Sequence, residues 1–371
     1  MDFRYDEEQQ AIFDLAAQIL SEGSPADRLL ALERGDGPRF DADLWASVGE
    51  AGLVGVAVPA AYDGGGLSFL EVCGVLEHVG RTTAAIPYFE TVVLGGLPIA
   101  EFGSEDQKKS ILPDVAAGKK ILTAALLEPE GEIERPGVEA TATDAGFRLS
   151  GVKSYVPAGQ IADLVLVSAS TDEGPAVFLV DPKSRGVTIE PLATTSYLPE
   201  AKLTLDGVEV GADALLGSLT DGREIIEWID LRANAALCNV MLGCLEAALE
   251  MTAEYSKTRK QFDQPIAMFQ SVAHRESDAY IDTQTVRLSA LEVAWRIAVG
   301  READEEVAIA KHLASEAGFR VTFAAQHIHG GIGVDREYPV HRYYVHARHI
   351  ELMLGGSTHH LRRLGRMITA A

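Results

Sequence analysis

Cysteine is scarce: Cys73, Cys238 and Cys244 are the only three in 371 residues, and no two form a CxxC pair. That spacing excludes a disulfide scaffold and suits a reducing compartment. Tryptophan is as rare, with three residues, and aromatics total 7%. Positive charge is also short: 32 Lys and Arg against 55 Asp and Glu give 32 − 55 = −23. A field of that sign repels nucleic acid and anionic membrane, and no basic stripe offsets it, so neither is expected as a partner. No run approaches the roughly eighteen apolar residues of a membrane span. The opening MDFRYDEEQQ is acidic and polar, unlike a secretory or organellar leader. A cytoplasmic protein is expected, one that holds any anionic ligand through local Arg residues and backbone N–H groups.

Apolar residues make up 47% and charged residues 23%, the balance of a globular chain with a sizeable core. Three regions differ in periodicity. Residues 1–120 carry helical patterns broken by turns: EEQQAIFDLAAQIL, DADLWASVGEAGLVGVAVP and LSFLEVCGVLEHVGR. In the first, Ile12, Leu15, Ala16, Ile19 and Leu20 recur at the spacing of one buried helix face. Over 121–217 the period falls to two, in FRLSGVKSYVP, ADLVLVSAS, AVFLVD, GVTIEPL and AKLTLDGVEV, the pattern of antiparallel strands in a small barrel or sandwich. Over 218–371 long helices return. One proline-free pattern runs from Gly222 to Thr258, a second opens at Pro265 and stops at Gly300, and a third has Asp304 as N-cap and Gly330–Gly331 as its stop. The order is helices, sheet, helical bundle.

On these residues the chain resembles the acyl-CoA dehydrogenases over essentially its whole length. The resemblance is carried by GLVGVAVPAAYDGGGLSFLEVCGVLEHVGR, FGSEDQKKSILPDVAAGKKILTAALLEP, RKQFDQPIAMFQSVAH and HIHGGIGVDREYPVHRYYVHAR, in family order. It implies an α+β fold: an N-terminal helical domain, a middle antiparallel β-barrel or sandwich, and a C-terminal four-helix bundle. It also implies FAD, a tetramer, an electron-transfer flavoprotein-type acceptor, and α,β-dehydrogenation of an acyl-CoA thioester.

That reaction needs a carboxylate to take the α proton while hydride leaves the β carbon for the flavin. The family places the Glu in an EGT turn before the last helix, which here reads Gly355–Gly356–Ser357, or on the first long bundle helix, at a position that falls on or near Ala233. Neither residue accepts a proton. Glu351 and Glu246 are the acids nearest to standing in, and Asp230 and Glu227 are weaker. A solvated or capping role is the plainer reading of each.

The other departures are split. The family's flavin ring rests on a strand reading (T/S)EP before a small turn and on a later Trp-(Ile/Val)-(Thr/Ser). Here the first is LLEPEGEIERP, with Leu127 in the hydroxyl position, and the second is SYVP, with Tyr155 for the Trp and Pro157 for the hydroxyl. Leucine donates no hydrogen bond and proline lacks its N–H. The residues that in the family reach across to a neighbour's FAD are retained: Arg259, Phe262, Gln270, Gly330 and Gly331. Arg suits a pyrophosphate through its planar fork, and a glycine pair lets backbone approach an anion. One position wavers: His327 stands where the family has Gln, with Gln326 just ahead of it. Singly these residues also read as a surface arginine, a core phenylalanine and a helix C-cap.

The pattern is similar to the two-gene dehydrogenases that actinobacteria use on CoA thioesters of sterol side chains. It implies a non-catalytic subunit in an α2β2 heterotetramer, whose partner carries the Glu and shares the FAD. A self-sufficient enzyme with a relocated base and a flavin-free binding module remain as alternatives. The late histidines His327, His329, His341, His346, His349, His359 and His360 lack a metal-binding spacing, so no metal is expected. HGGIG ends a helix and is no dinucleotide fingerprint, and GVKS is no P-loop.

Overall fold

The structure is a computed structural model that describes residues 5–370, without the side chain of Ala370; the first four residues of the acidic N-terminal stretch lie outside it. Helix α1 (Glu7–Gly23) opens on a capping box in which Asp6 and Gln9 satisfy each other's backbone N–H. Its buried face is Phe13, Ala16 and Leu20; Leu15, expected inside, is 39% exposed. Helices α2 (Ala26–Arg34) and α3 (Ala42–Glu50) follow, the latter capped by Asp41. The pattern expected to run helically to Pro59 ends at Glu50, because Gly52 takes φ +75 and the valine-rich stretch beyond leaves the helix. Then come α4 (Phe69–Thr82), a π-helical turn over Phe89–Gly96, α5 (Leu97–Phe102) and α6 (Glu105–Ala116).

The strands are β1 (Leu122–Ala125), β2 (Glu139–Thr143), β3 (Gly146–Val156), β4 (Leu164–Thr171), β5 (Gly174–Val180), β6 (Val187–Pro191), β7 (Ala201–Gly211) and β8 (Leu215–Leu216). They form one sheet in the order β6-β7-β3-β2-β4-β5-β8, with β1 beside β4. Most pairings are antiparallel, as the period of two implies; β1 and β2 each pair with β4 in parallel. Helix α7 (Gly222–Thr258) leads into a hairpin, β9 (Lys260–Gln261) and β10 (Gln264–Pro265), and then into α8 (Gln270–Ala298), α9 (Asp304–His329), α10 (Val340–Leu352) and α11 (Ser357–Ala370). Pro265 does not open α8: it pairs with Lys260 in the hairpin, and the helix starts at Gln270. Asp304 is the first residue of α9, and Ala303 holds the cap position. Helix α7 is apolar and long enough to cross a membrane by composition, yet 78% of its most apolar stretch is buried, as in a core helix.

Of the described residues, those within 5–31, 69–84 and 234–370 form one compact unit, and 32–68 with 85–233 form another. In the second, alternate residues of the sheet supply the core: Leu149 and Val156 of β3, Val165 and Val167 of β4, Phe178 of β5, Leu203 and Leu205 of β7. In the first, α4 and α7 cross at paired glycines. A Cβ on Gly80 would lie 2.0 Å from the Val240 carbonyl oxygen, and one on Gly243 would lie 1.8 Å from that of Glu77. The Cys244 thiol donates to the Gly80 carbonyl at 3.2 Å across the same crossing. Backbone meets backbone there, so no rotamer relieves an added methyl. Gly243→Ala is expected to cost at least about 2 kcal/mol of stability. Urea unfolding measures it; an unchanged midpoint contradicts the crossing.

Candidate functional site

The retained residues gather at one end of the first unit. The rings of Tyr255 and His329 stack at 4.3 Å, and the Tyr255 hydroxyl donates to the His329 carbonyl at 3.4 Å. Arg259 lies one turn beyond Tyr255 and Gly330 directly follows His329, so both segments spring from one ring stack. The Ile266 N–H donates to the Arg259 carbonyl at 2.9 Å and closes the hairpin. Its loop is Phe262–Asp263, at φ +52 and +62, the left-handed pair a two-residue hairpin requires. That geometry lifts Phe262 into solvent, 88% exposed, with its ring edge-on to Phe269 at 6.1 Å. Phe262 is therefore not core.

The Arg259 side chain is exposed, and its guanidinium pairs with no acid among the described residues. Gln270 begins α8 without a capping side chain; its amide nitrogen lies 3.4 Å from His274 Nε2. Gly330 has φ +66 and ψ −140, backbone that favours glycine, and a Cβ at Gly330 or Gly331 would meet nothing within 4 Å. The turn is open ground rather than a crowded C-cap. The exposed Arg259 side chain, the exposed Phe262 ring, the Gln270 amide and the open glycine turn thus lie on segments joined by one hairpin and one ring stack. On the neighbouring helices, Tyr280, Ile281 and Leu288 of α8 and Phe319 and Phe323 of α9 are between 41% and 61% exposed. Phe319, Phe323 and His327 stack in sequence along α9.

The two positions where the resemblance expects a base hold no acid. Ala233 is fully buried in α7. Gly355 lies in the turn between α10 and α11 at φ +99. The stand-in acids are already engaged. Glu246, 8% exposed, pairs with Arg81 at 3.3 Å and with Arg287. Glu351 pairs with Arg348, and burial pushes its carboxyl up while the Arg348 and Lys311 cations pull it back. Glu227 is exposed and 3.8 Å from Arg223, and Asp230 is buried.

In the second unit the strand expected to carry a flavin ring is held in a different way. Glu128 accepts from the Gly137 and Val138 N–H groups at 2.6 and 3.1 Å and from Lys153 Nζ at 2.5 Å. Lys153 is fully buried in β3, donates also to Ser168 at 2.9 Å, and is pushed down to about 8 by burial. This clamp ties down an exposed loop bearing Glu130, Glu132 and Glu134. Tyr155 and Ala158 both take positive φ, +50 and +51, and the Pro157 carbonyl is taken by the Thr123 hydroxyl at 2.6 Å.

Two acids were not anticipated from sequence. Glu90, on the π-helical turn, and Glu200, just before β7, are both pushed up to about 7 by burial, with Glu200 adding a like charge near Glu90. A π-helical turn leaves no periodic signature, so only the fold reveals the pair.

Comparison with known proteins agrees with this architecture. The family model "Acyl-CoA dehydrogenase, N-terminal domain" matches residues 6–119, and "Acyl-CoA dehydrogenase, C-terminal domain" matches 221–369. The chain belongs to the acyl-CoA dehydrogenase family of oxidoreductases. It is 39% identical to the acyl-CoA dehydrogenase FadE27 of Mycobacterium tuberculosis, over 99% of this chain and 98% of that protein. Among solved structures it is similar to a chain of the ChsE4–ChsE5 complex from Mycobacterium tuberculosis, at 39% identity, full coverage of both chains and a TM-score of 0.94. It is also similar to a chain of the Tcur3481–Tcur3483 steroid ACAD, at 38% identity, 98% coverage of each and a TM-score of 0.92.

The Glu90 and Glu200 carboxyls fix a pH dependence. Each binds its proton more tightly folded, near 7, than at the usual 4.5, so unfolding releases protons between those values and stability falls as pH rises through that window. Glu90→Gln removes that penalty. It is expected to raise stability by about 1–3 kcal/mol at about pH 8 and to change little at about pH 4. Denaturant midpoints at the two pH values read the difference.

Proposed function

We propose that this chain is the base-less subunit of a heteromeric, FAD-dependent acyl-CoA dehydrogenase, and that it completes the flavin site of a partner subunit. One observation carries the reading: the residues that would serve this chain's own reaction are replaced, and those that would serve a neighbour are retained and face outward. Gly355 and Ala233 offer no proton acceptor, Leu127 and Pro157 offer no hydroxyl to a flavin carbonyl, and Tyr155 stands where the resemblance expects Trp. The Glu-bearing loop held by Glu128 puts negative charge where the resemblance expects a small turn beside the flavin. Glu246, between two guanidinium groups, and Glu351, held by Arg348, are poorly suited to act as relocated bases, which weighs against a self-sufficient enzyme.

The retained set fits the ADP half of a partner-held FAD. Arg259 brings a guanidinium that pairs with no acid among the described residues, and the open Gly330–Gly331 turn lets backbone N–H groups approach an anion. Gln270 offers hydrogen bonds to the nucleotide, and Phe262 offers an exposed apolar edge. The bound flavin supplies a hydride acceptor for the β carbon, and the partner's carboxylate takes the α proton. This chain's part is to bind, orient and exclude water.

The apolar faces of α8 and α9 support close packing against a second acyl-CoA dehydrogenase subunit in an α2β2 assembly. The heteromeric ChsE4–ChsE5 and Tcur3481–Tcur3483 neighbours support a different partner chain, and the steroid ACAD supports a steroid side-chain CoA ester as substrate. Electrons would leave through an electron-transfer flavoprotein-type acceptor, and the site of action would be the cytoplasm. The division into residues 1–120, 121–217 and 218–371 belongs to the same reading, supported by family models that end at 119 and begin at 221.

Purified alone, the chain is expected to be colourless; co-purified with the partner, the complex shows a flavin absorbance band. Arg259→Ala in the complex is expected to weaken FAD retention by about 10-fold or more, near 1.4 kcal/mol. A chain that carries flavin by itself, or an Arg259→Ala complex that keeps its flavin unchanged, contradicts the proposal.

A further inference from the structure

The turn between α10 and α11 is held from outside itself. Lys311, only 1% exposed, has Nζ 2.9, 3.1, 3.1 and 3.2 Å from the carbonyls of Ile350, Glu351, Met353 and Gly355, four acceptors that share its three N–H groups. His360 Nε2 lies 3.2 Å from the Leu354 carbonyl. Leu354 and Gly355 both take positive φ, +53 and +99, and the second value disfavours any side chain. Position 355 therefore cannot swing to a new direction without breaking these bonds.

The direction it does face is filled. A Cβ on Gly355 would lie 2.6 Å from Cδ2, 2.7 Å from Cγ and 3.1 Å from Cβ of His359. Rotating the imidazole about its own axis moves Cδ2 but leaves Cγ in place, and no side-chain rotation moves Cβ. The His359 backbone is fixed, because its main-chain N–H donates to the Gly356 carbonyl at 2.9 Å as α11 begins; the side chain is exposed, and only a change of χ1 would take Cγ clear of position 355. Its ring also stands edge-on to that of His360, with centroids 5.1 Å apart.

We propose that His359 is a positioning residue that occupies the space of a side chain at position 355 and so closes this turn to any acid. The absence of a base is then a property of two residues rather than one. Gly355→Glu alone would place a carboxylate here only at the cost of a left-handed backbone and a displaced imidazole. The assignment of 355 as a base position rests on the reading above; the contact between 355 and 359 does not.

A double-mutant cycle in the full chain tests it, with Gly355→Ala, His359→Ala and the pair. Gly355→Ala is expected to lower the melting temperature by several degrees in the native background and by no more than about half as much beside His359→Ala. The backbone part of the cost stays and the steric part goes. In histidine-labelled protein the same Gly355→Ala change shifts the His359 ring signal, assigned by its loss in His359→Ala, and leaves His327 on α9 unmoved. A Gly355→Ala protein that fails to fold while the pair folds also supports the proposal. Equal melting shifts in both backgrounds, failure of both to fold, or an unmoved His359 signal overturns it. Neither readout involves flavin, so the result stands apart from the test of the helper-subunit reading.

Discussion

A single buried ammonium governs the turn on which the functional reading depends. An ammonium taken out of water costs several kcal/mol unless its donors are satisfied. Lys311 meets that demand with backbone carbonyls drawn from the last turn of α10 and the residues after it. The carbonyls at a helix C-terminus lack intrahelical partners, so cation and helix end answer each other's need. The consequence is a turn whose path is set by solvation of one charge. What stands at position 355 is then constrained by geometry before chemistry is considered.

The same accounting of partners separates the two halves of the site. Acids near the expected base positions are committed: Glu246 to two arginines, Glu351 to one, Glu128 to a lysine and two backbone N–H groups. Among the described residues the Arg259 guanidinium pairs with no acid, the turn at Gly330 is open, and the Phe262 ring is 88% exposed. Groups that a fold leaves exposed are available to something outside it. On the proposed reading that is a nucleotide held by another subunit.

Much of the fold was legible because periodicity is local. Helix α7 runs over the stretch its proline-free pattern marked, and β3 to β7 fall on the alternating runs. What was hidden depended on partners far along the chain or on segments too short to repeat. Strand β1 is four residues, all buried, with no alternation to read. The hairpin that took Pro265 out of α8 has strands of two residues each. Leu15 looked like core but faces solvent, since Phe13 takes the inward position on α1. At the site, the choice of residues came from the family resemblance. The contact of Lys311 with Gly355, 44 residues apart, was not legible in the sequence. Nor were the carboxyls of Glu90 and Glu200, whose perturbation comes from burial that only the fold creates.

The number of flavins per chain in the assembled enzyme bears most directly on whether this subunit serves a partner's chemistry. It is obtained by releasing and quantifying FAD from a complex whose chain composition is known by mass. One FAD for each pair of unlike chains is the predicted ratio, with every flavin bound in the partner's pocket. One FAD for every chain would mean that this subunit holds a flavin of its own, and the account would fail.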